Sequence, residues 1–436
     1  MGIIGLHKRS INRILYIALM GFLFVGVNCI AKVIDKVVSY SLVGGIIWVL
    51  LFCFLIIVQT HEMKASANIK TIIVAGTLFR LVFAFFRSCI PGALPSFIAN
   101  DDEYKFVMIA TKYFYGIFDQ YSTNFPYLLN VLFNIFGLSV FTIRIVFIYM
   151  WYLGLILISK TAGKLKGRNH QFLVAFYCLM PWPIYIGTAV LRESPKQLAI
   201  MLSVFFLIKW MECGKPLHLM LSVASAVPAV WLHNGEVGVL VVIFITWVFW
   251  NPSAGRWYTE RINIKHIVFA LAILMFPLLY DCFTTLFPGK FIGPFSIRGL
   301  IDRIEYTEAR TNYVYDVSYA DPVKFVLWTI YRMIYFWISP TPRFWSQDGD
   351  ILLFFFDTVP WIALFIYILV RIRKDRENGA SKVAYIFWGI VTFIFAWGTR
   401  NAGTAMRHRD HFAGVFVLLA VFAGRRESRC TGDNKE

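Results

Sequence analysis

Long apolar runs recur from one end of the chain to the other, and they constrain the fold more than any other feature of the sequence. Segments such as 139–158 and 382–399 are nearly free of charge and have the length that a helix needs to cross a bilayer, about 17–25 residues. The mean hydropathy of +0.65 is typical of a chain solvated by lipid. Because a backbone in lipid must satisfy its own hydrogen bonds, we predict an all-α, polytopic integral membrane protein with about twelve transmembrane helices.

The whole chain, 1–436, is predicted to form a single membrane-embedded domain, because no repeat, linker or water-soluble domain interrupts the apolar pattern. Basic residues concentrate in short loops such as 160–168 and 371–376, which fall on one side if the amino terminus is cytoplasmic. The short apolar segments 124–137 and 323–339 would spoil this alternation, so we interpret them as partial helices against the outer leaflet. The remaining parts are extra amino-terminal spans in 1–70, an acidic external loop with an interfacial helix in 91–123, an external loop in 283–322 and a cytoplasmic tail in 425–436.

Three consecutive acids, Asp101, Asp102 and Glu103, lie in the loop that follows the third apolar span. This loop is external in the predicted orientation. The next dozen residues place Phe106, Ile109, Tyr113 and Phe114 on one helical face, which is typical of an amphipathic helix at the membrane surface. The triplet is therefore either a set of catalytic carboxylates held near lipid headgroups or a polar stop at the end of a span.

The net charge of +17 would suit a nucleic-acid-binding protein, but the cytoplasmic loops account for much of it, so nucleic acid is not an expected partner. A second set of cations lies on the predicted outer side, where the orientation rule does not place them. These indicate an anionic ligand, and as phosphate or donor ligands we select Arg192, Lys196, Arg343, Arg400, Arg407 and Arg409. Two alternatives stay open: an internal pair between Arg192 and Glu193, and a purely interfacial role for the aromatic residues around Arg343.

Candidate contacts to an acceptor or a sugar are His233, Glu236, Tyr104 and His408. The segment His233-Asn234-Gly235-Glu236 also has the composition of a tight turn between two spans, which is the alternative interpretation of these residues. A divalent metal held by His233, Glu236 and Asp102 is left open, and no residue spacing in the chain requires a cofactor.

An acid and several cations at a membrane surface favour one kind of chemistry. The carboxylate removes a proton from an acceptor hydroxyl or amine, and the cations stabilise a departing lipid phosphate. General-base assistance of this kind is worth about 10²–10⁴-fold in rate.

Four short motifs stand out along the chain: Asp101-Asp102-Glu103-Tyr104, Phe125-Pro126-Tyr127, Phe136-Gly137-Leu138-Ser139 with Arg144, and Arg407-His408-Arg409 before the last span. With these motifs the chain resembles the GT-C superfamily of glycosyltransferases, most closely its protein mannosyltransferase and aminoarabinose transferase branch. The resemblance implies that an acid of the first large external loop acts as base or acceptor ligand, that the donor is a sugar carried on polyprenyl phosphate, and that the transfer is inverting.

The sequence therefore predicts a membrane glycosyltransferase that moves a sugar from polyprenyl phosphate to a lipid-linked glycan, lipid or protein acceptor. The active site is expected on the outer face of a bacterial cytoplasmic membrane. Two alternatives stay open: an O-antigen or capsule repeat-unit polymerase or ligase, and a transporter or lipid-linked-glycan flippase. The absence of an internal repeat and the placement of charges at one face argue against the transporter.

Overall fold

The structure is a computed structural model, and helices make up most of it. It describes residues 41–89, 101–118, 123–257, 264–275, 322–342, 345, 348–374, 379–399 and 401–423, together with Gly26. The predicted first span, most of the loop 283–322 and the tail 425–436 lie outside the described residues. So do Arg343, Arg400 and the side chain of Asp101.

The first half of the described chain forms nine helices, including a short helix of seven residues that begins at Pro181. They are α1 Ser41–Glu62, α2 Ala67–Cys89, α3 Asp101–Phe114, α4 Phe125–Phe136, α5 Val140–Ala162, α6 Gly167–Leu179, α7 Pro181–Gly187, α8 Glu193–Cys213 and α9 Pro216–Leu232.

A 3₁₀ turn, Asn234–Glu236, leads into the second half. This half contains α10 Val237–Phe249, α11 Ile264–Leu274, α12 Pro322–Ile338, α13 Asp348–Leu353, α14 Val359–Lys374, α15 Gly379–Gly398, α16 Ala402–Asp410 and α17 Ala413–Ala423. A π turn, Phe354–Thr358, joins α13 to α14, and β1 Trp250–Asn251 pairs with β2 Arg256–Trp257 in an antiparallel hairpin.

Among the described residues, five helical stretches are long and apolar enough to cross a membrane. They are Gly45–Glu62, Ala67–Ser88, Val140–Ala162, Gly349–Val370 and Ser381–Gly398. Their length and composition confirm the all-α class and agree with a membrane protein, whereas the count of about twelve spans stays a prediction. The segments interpreted as partial helices form α4 and α12, both shorter than these five stretches.

The core of the bundle is built around α5, α8 and α17, and the residues from Ala413 to Val421 on α17 are all buried. Gly154 of α5 and Gly414 of α17 both lie against Met201 of α8, so that a methyl group at either position would collide with its side chain. Small residues at such crossings let helix backbones approach closely. In lipid, where the hydrophobic effect does not drive helices together, this close van der Waals packing is a main source of helix association.

A break between α6 and α7 shapes the end of the bundle described below. Pro181 and Pro183 have no N–H to donate, so carbonyls near the end of α6 lose their helical partners. The fully buried Arg80 of α2 supplies donors to two of these last carbonyls: its Nη2 lies 3.4 Å from the oxygen of Tyr177, the residue four before Pro181, and its Nη1 lies 2.6 Å from the oxygen of Cys178. The guanidinium also stacks 3.7 Å from the Trp151 ring. These contacts hold the break between α6 and α7 in place, and α7 leads into the turn at 188–193.

The amphipathic pattern predicted after the acidic triplet is present in α3. Phe106, Ile109 and Tyr113 are buried, while Tyr104 and Lys105 are exposed. The apolar face packs on α4, where the rings of Phe106 and Phe125 meet edge to face at 5.1 Å. Two short helices thus cover each other at the end of the bundle where α8 begins.

Candidate functional site

Four segments that are distant in sequence meet where α8 begins: the first turn of α3, the turn at 188–193, the turn at 233–236, and α16. Local signals position each of them. Asn401 caps α16, with its side-chain oxygen accepting a hydrogen bond from the Thr404 backbone N–H at 2.9 Å. The turn at 188–193 follows the proline break, and its residues Ala189, Val190 and Leu191 are completely buried. We call this meeting point the charged cluster.

Arg407 lies between two carboxylates from different helices. Its Nη1 donates to Asp102 Oδ2 at 2.6 Å, and its Nε donates to Glu193 Oε1 at 3.0 Å. The two acids differ in environment, because the Glu193 side chain is 4% exposed and the Asp102 side chain is 49% exposed. Arg407 is thus anchored from the protein interior and contacts a solvated carboxylate on its other side.

Charge within the cluster keeps Glu193 and Arg407 ionised. Burial by itself would raise the pKa of Glu193, but Arg407, Lys196 and Arg192 outweigh it and lower that pKa to about 2. For Arg407 burial acts in the opposite direction and lowers the pKa, but the charges and hydrogen bonds of Glu193 and Asp102 outweigh burial and raise the pKa above its ordinary value. The pair therefore stays charged across the physiological range of pH.

Arg192 adds a positive charge that no described residue neutralises by direct contact. Its guanidinium has no hydrogen bond and no ion-pair partner within 4 Å among the described residues, and its Nε is buried without an acceptor. Its charge nevertheless interacts with Glu193, Arg407 and Asp102, so it lies in the same cluster. The alternative interpretation, an internal ion pair between Arg192 and Glu193, has no contact within 4 Å among the described residues, and Glu193 Oε1 bonds to Arg407.

A second group behind Arg407 is fully buried. Lys196 Nζ lies 3.1 Å from Glu236 Oε1, and His411 Nε2 lies 2.9 Å from the same oxygen. All three side chains have no exposed area. This geometry does not fit the predicted contacts of Lys196 with phosphate and of Glu236 with sugar, and it gives both residues the role of joining α8, the 233–236 turn and the end of α16.

Two histidines, His233 and His408, pack beside this buried group. The rings of His233 and His408 are 5.0 Å apart, and both pack on Phe395 at 5.5 and 4.9 Å. Burial, followed by the charge of Lys196, lowers the pKa of His408 well below its ordinary value, so its imidazole is neutral at neutral pH. A neutral imidazole is able to accept a hydrogen bond from a hydroxyl group.

Glu103 is turned away from Arg407 and holds α3 on the bundle. Its Oε1 accepts hydrogen bonds from Arg144 at 2.7 Å and from the Val190 backbone N–H at 2.9 Å, and its Oε2 lies 3.7 Å from Arg87. These contacts occupy the carboxylate, so its position does not fit a catalytic role. Tyr104 is 72% exposed.

Arg409 lies outside the cluster, although it is only two residues from Arg407. Its fully buried guanidinium bonds to Asp357, to the Ser339 carbonyl oxygen at 2.7 Å and to the Trp337 carbonyl oxygen at 2.9 Å. It therefore satisfies the carbonyls at the end of α12, and this position does not fit the predicted contact with a phosphate.

The structure thus brings together Asp102, Arg192, Glu193, Lys196, His233, Glu236, Arg407 and His408. Sequence reasoning did not select His411, although its spacing of three residues from His408 places both on one helical face. Within the described ranges, no group of three or more His, Cys, Asp or Glu side chains is arranged to hold a metal ion. Asp102 contacts Arg407 instead of the pair of His233 and Glu236.

No family model, no curated protein and no solved structure matches this chain.

Proposed function

We propose that this protein is a membrane glycosyltransferase of the GT-C type, which transfers a sugar from a polyprenyl phosphate to a glycan, lipid or protein acceptor. One observation carries the proposal: a half-exposed carboxylate, Asp102, touches Arg407 at one end of a bundle of apolar helices, beside Arg192, which has no ion-pair partner among the described residues. A candidate base and two phosphate-binding cations are adjacent at that point.

The reaction follows from the chemistry of these groups. Asp102 takes the proton from the acceptor hydroxyl while the acceptor oxygen bonds to the anomeric carbon of the sugar. The bond from that carbon to the phosphate oxygen breaks, and Arg407 and Arg192 bind the charge that develops on the leaving phosphate. His233 and His408 line the wall where sugar or acceptor hydroxyls would lie.

The proposed orientation places the charged cluster on the outer face of a bacterial cytoplasmic membrane. In this orientation the chain has about twelve spans, its amino terminus is cytoplasmic, and the short helices α4 and α12 lie at the outer leaflet. This topology agrees with the distribution of the basic loops. In this proposal Asp101, Arg343, Arg400 and the loop 283–322 are assigned to the same face of the membrane.

The test is transfer from a panel of polyprenyl phosphate sugars by the purified protein in lipid nanodiscs, with membranes of the source cell as acceptor. We expect the variant Asp102→Asn to lose about 10²–10⁴-fold in rate, because it removes the base. The matched control is Lys105→Gln, an exposed position on the same helix that makes no contact with the cluster. Transfer by Asp102→Asn at the rate of the unaltered protein contradicts the proposal, and product length separates single transfer from polymerisation.

A further inference from the structure

Asp102 has two roles in the proposed function that exclude each other. Arg407 Nη1 donates to Asp102 Oδ2 at 2.6 Å, so this oxygen is engaged by the guanidinium and is not available to an acceptor hydroxyl. The same carboxylate covers the Nη1 side of Arg407, where a phosphate oxygen has to bind. The contact therefore has to open before both groups can take part in the proposed reaction.

The two carboxylates on Arg407 differ in how easily they are replaced. Glu193 is 4% exposed and its second oxygen, Oε2, is buried without a hydrogen bond, so releasing it would leave an unpaired charge in the interior. Asp102 is 49% exposed and water solvates it as soon as it leaves Arg407. An incoming anion would displace Asp102 and leave Glu193 in place.

Arg192 makes the exchange favourable for a phosphate in particular. Its charge lies near Arg407 and repels it, and none of its nitrogens has an acceptor among the described residues. A phosphate group has enough oxygens to accept from both guanidinium groups, whereas Asp102 contacts only Arg407. The exchange breaks one ion pair and forms two.

We propose that the contact between Asp102 and Arg407 is an exchangeable lock: the phosphate of the donor displaces the Asp102 carboxylate from Arg407 and thereby frees it to act as the base. Glu193 is the positioning residue that keeps Arg407 in place during the exchange. This inference rests on the proposed function, and it adds that donor binding has to precede activation of the acceptor.

The lock predicts that the carboxylate competes with the ligand. The experiment measures the affinity of the full-length protein in nanodiscs for undecaprenyl phosphate, with Asp102→Asn, Arg407→Gln and Lys105→Gln as variants. We expect Asp102→Asn to bind about two- to fivefold more tightly, the range set by the loss of one partly exposed ion pair. Arg407→Gln should bind at least tenfold more weakly, and Lys105→Gln should bind like the unaltered protein.

A second measurement keeps the test independent of how well Asp102→Asn folds. A fluorophore attached to Tyr104→Cys, in a background with the seven native cysteines replaced and with Asp102 and Arg407 intact, reports movement of the first turn of α3. We expect its emission to change on addition of undecaprenyl phosphate, and to stay constant when Arg407→Gln is also present.

The outcomes separate the lock from the proposed function. Equal or weaker binding by Asp102→Asn, together with unchanged fluorescence, overturns the lock even if transfer is lost in that variant. Failure of the unaltered protein to bind undecaprenyl phosphate overturns both the lock and the phosphate site.

Discussion

Two arginines two residues apart show how strongly local environment decides the role of a side chain. Arg407 keeps 18% of its side chain exposed and contacts a solvated acid, whereas Arg409 is completely enclosed and bonds to backbone carbonyls and Asp357. The first stays partly open to solvent, and the second bonds only within the protein interior. The same contrast separates Asp102 from Glu103, the first half-exposed and the second held by Arg144 and Val190.

At the residue scale, the depressed pKa of His408 predicts acid sensitivity. Below about pH 6.5 this imidazole binds a proton in the unfolded chain but stays neutral in the folded protein. The free energy of unfolding is therefore unaffected by this group above that pH and decreases as the pH falls below it. We expect the unfolding temperature to drop between pH 7.5 and 5.5, and to drop less in His408→Gln. Thermal unfolding in detergent measures this, with the same substitution at the exposed His61 as control. Identical slopes for the unaltered protein and His408→Gln would contradict it.

At the element scale, polar contacts with distant residues help to position the short helices α3 and α12. Helix α3 is amphipathic and could lie on many apolar surfaces, but Glu103 joins it to α5 through Arg144 and to the 188–193 turn through Val190. Helix α12 runs beside α15, with Trp337 Nε1 donating to Thr392 Oγ1 at 2.9 Å, and ends on Arg409. Both helices owe their position to contacts that are distant in sequence.

Removing Glu103 should loosen α3 without unfolding the bundle. We expect Glu103→Gln to increase hydrogen exchange across 101–114, because the charge that pairs with Arg144 and Arg87 is lost. Exchange in α8 should stay as it was. Mass-spectrometric hydrogen exchange measures both, and Lys105→Gln serves as the matched variant on the same helix. Unchanged protection of α3 would show that its apolar face alone holds it.

The pair of Arg409 and Asp357 should show strong coupling. Because both side chains are fully buried, Arg409→Leu leaves an uncompensated carboxylate and should destabilise the protein by about 3–5 kcal/mol. Adding Asp357→Leu should recover part of that loss, since the carboxylate that Arg409 neutralised is then also removed. Unfolding midpoints of the single and double variants test this, and strictly additive losses would contradict it.

At the scale of the whole molecule, charge divides between the two ends of the bundle. One end carries the charged cluster. At the other end the loops after α1 and α5 meet, where the Leu165 backbone N–H donates to the Lys64 carbonyl oxygen at 2.9 Å, and Lys160, Lys164 and Arg168 lie nearby in the chain. This separation is what a membrane protein with its basic loops inside requires.

The proposed orientation predicts opposite labelling of the two ends. In a background with the seven native cysteines replaced, a cysteine at Gly403 should react with an impermeant maleimide in intact cells, and a cysteine at Lys164 should react only after permeabilisation. Gly403 lies on α16 beside the cluster, and Lys164 lies in the loop at the basic end. Labelling of both positions from the same side would contradict the orientation.

The sequence by itself determined the all-α class, the apolar helices and the amphipathic face of α3, because these depend on local composition and on a helical period of 3.6 residues. It also indicated most of the charged residues of the site, since charges next to apolar spans are rare and costly. Only the tertiary structure decided which of them become partners. Residues two apart on a helix point to opposite sides, and the side on which Arg407 meets Asp102, 305 positions away, is set by packing of α3 and α8 that no local pattern encodes. Packing between distant elements likewise encloses Arg409 in the core and leaves Arg407 in the charged cluster.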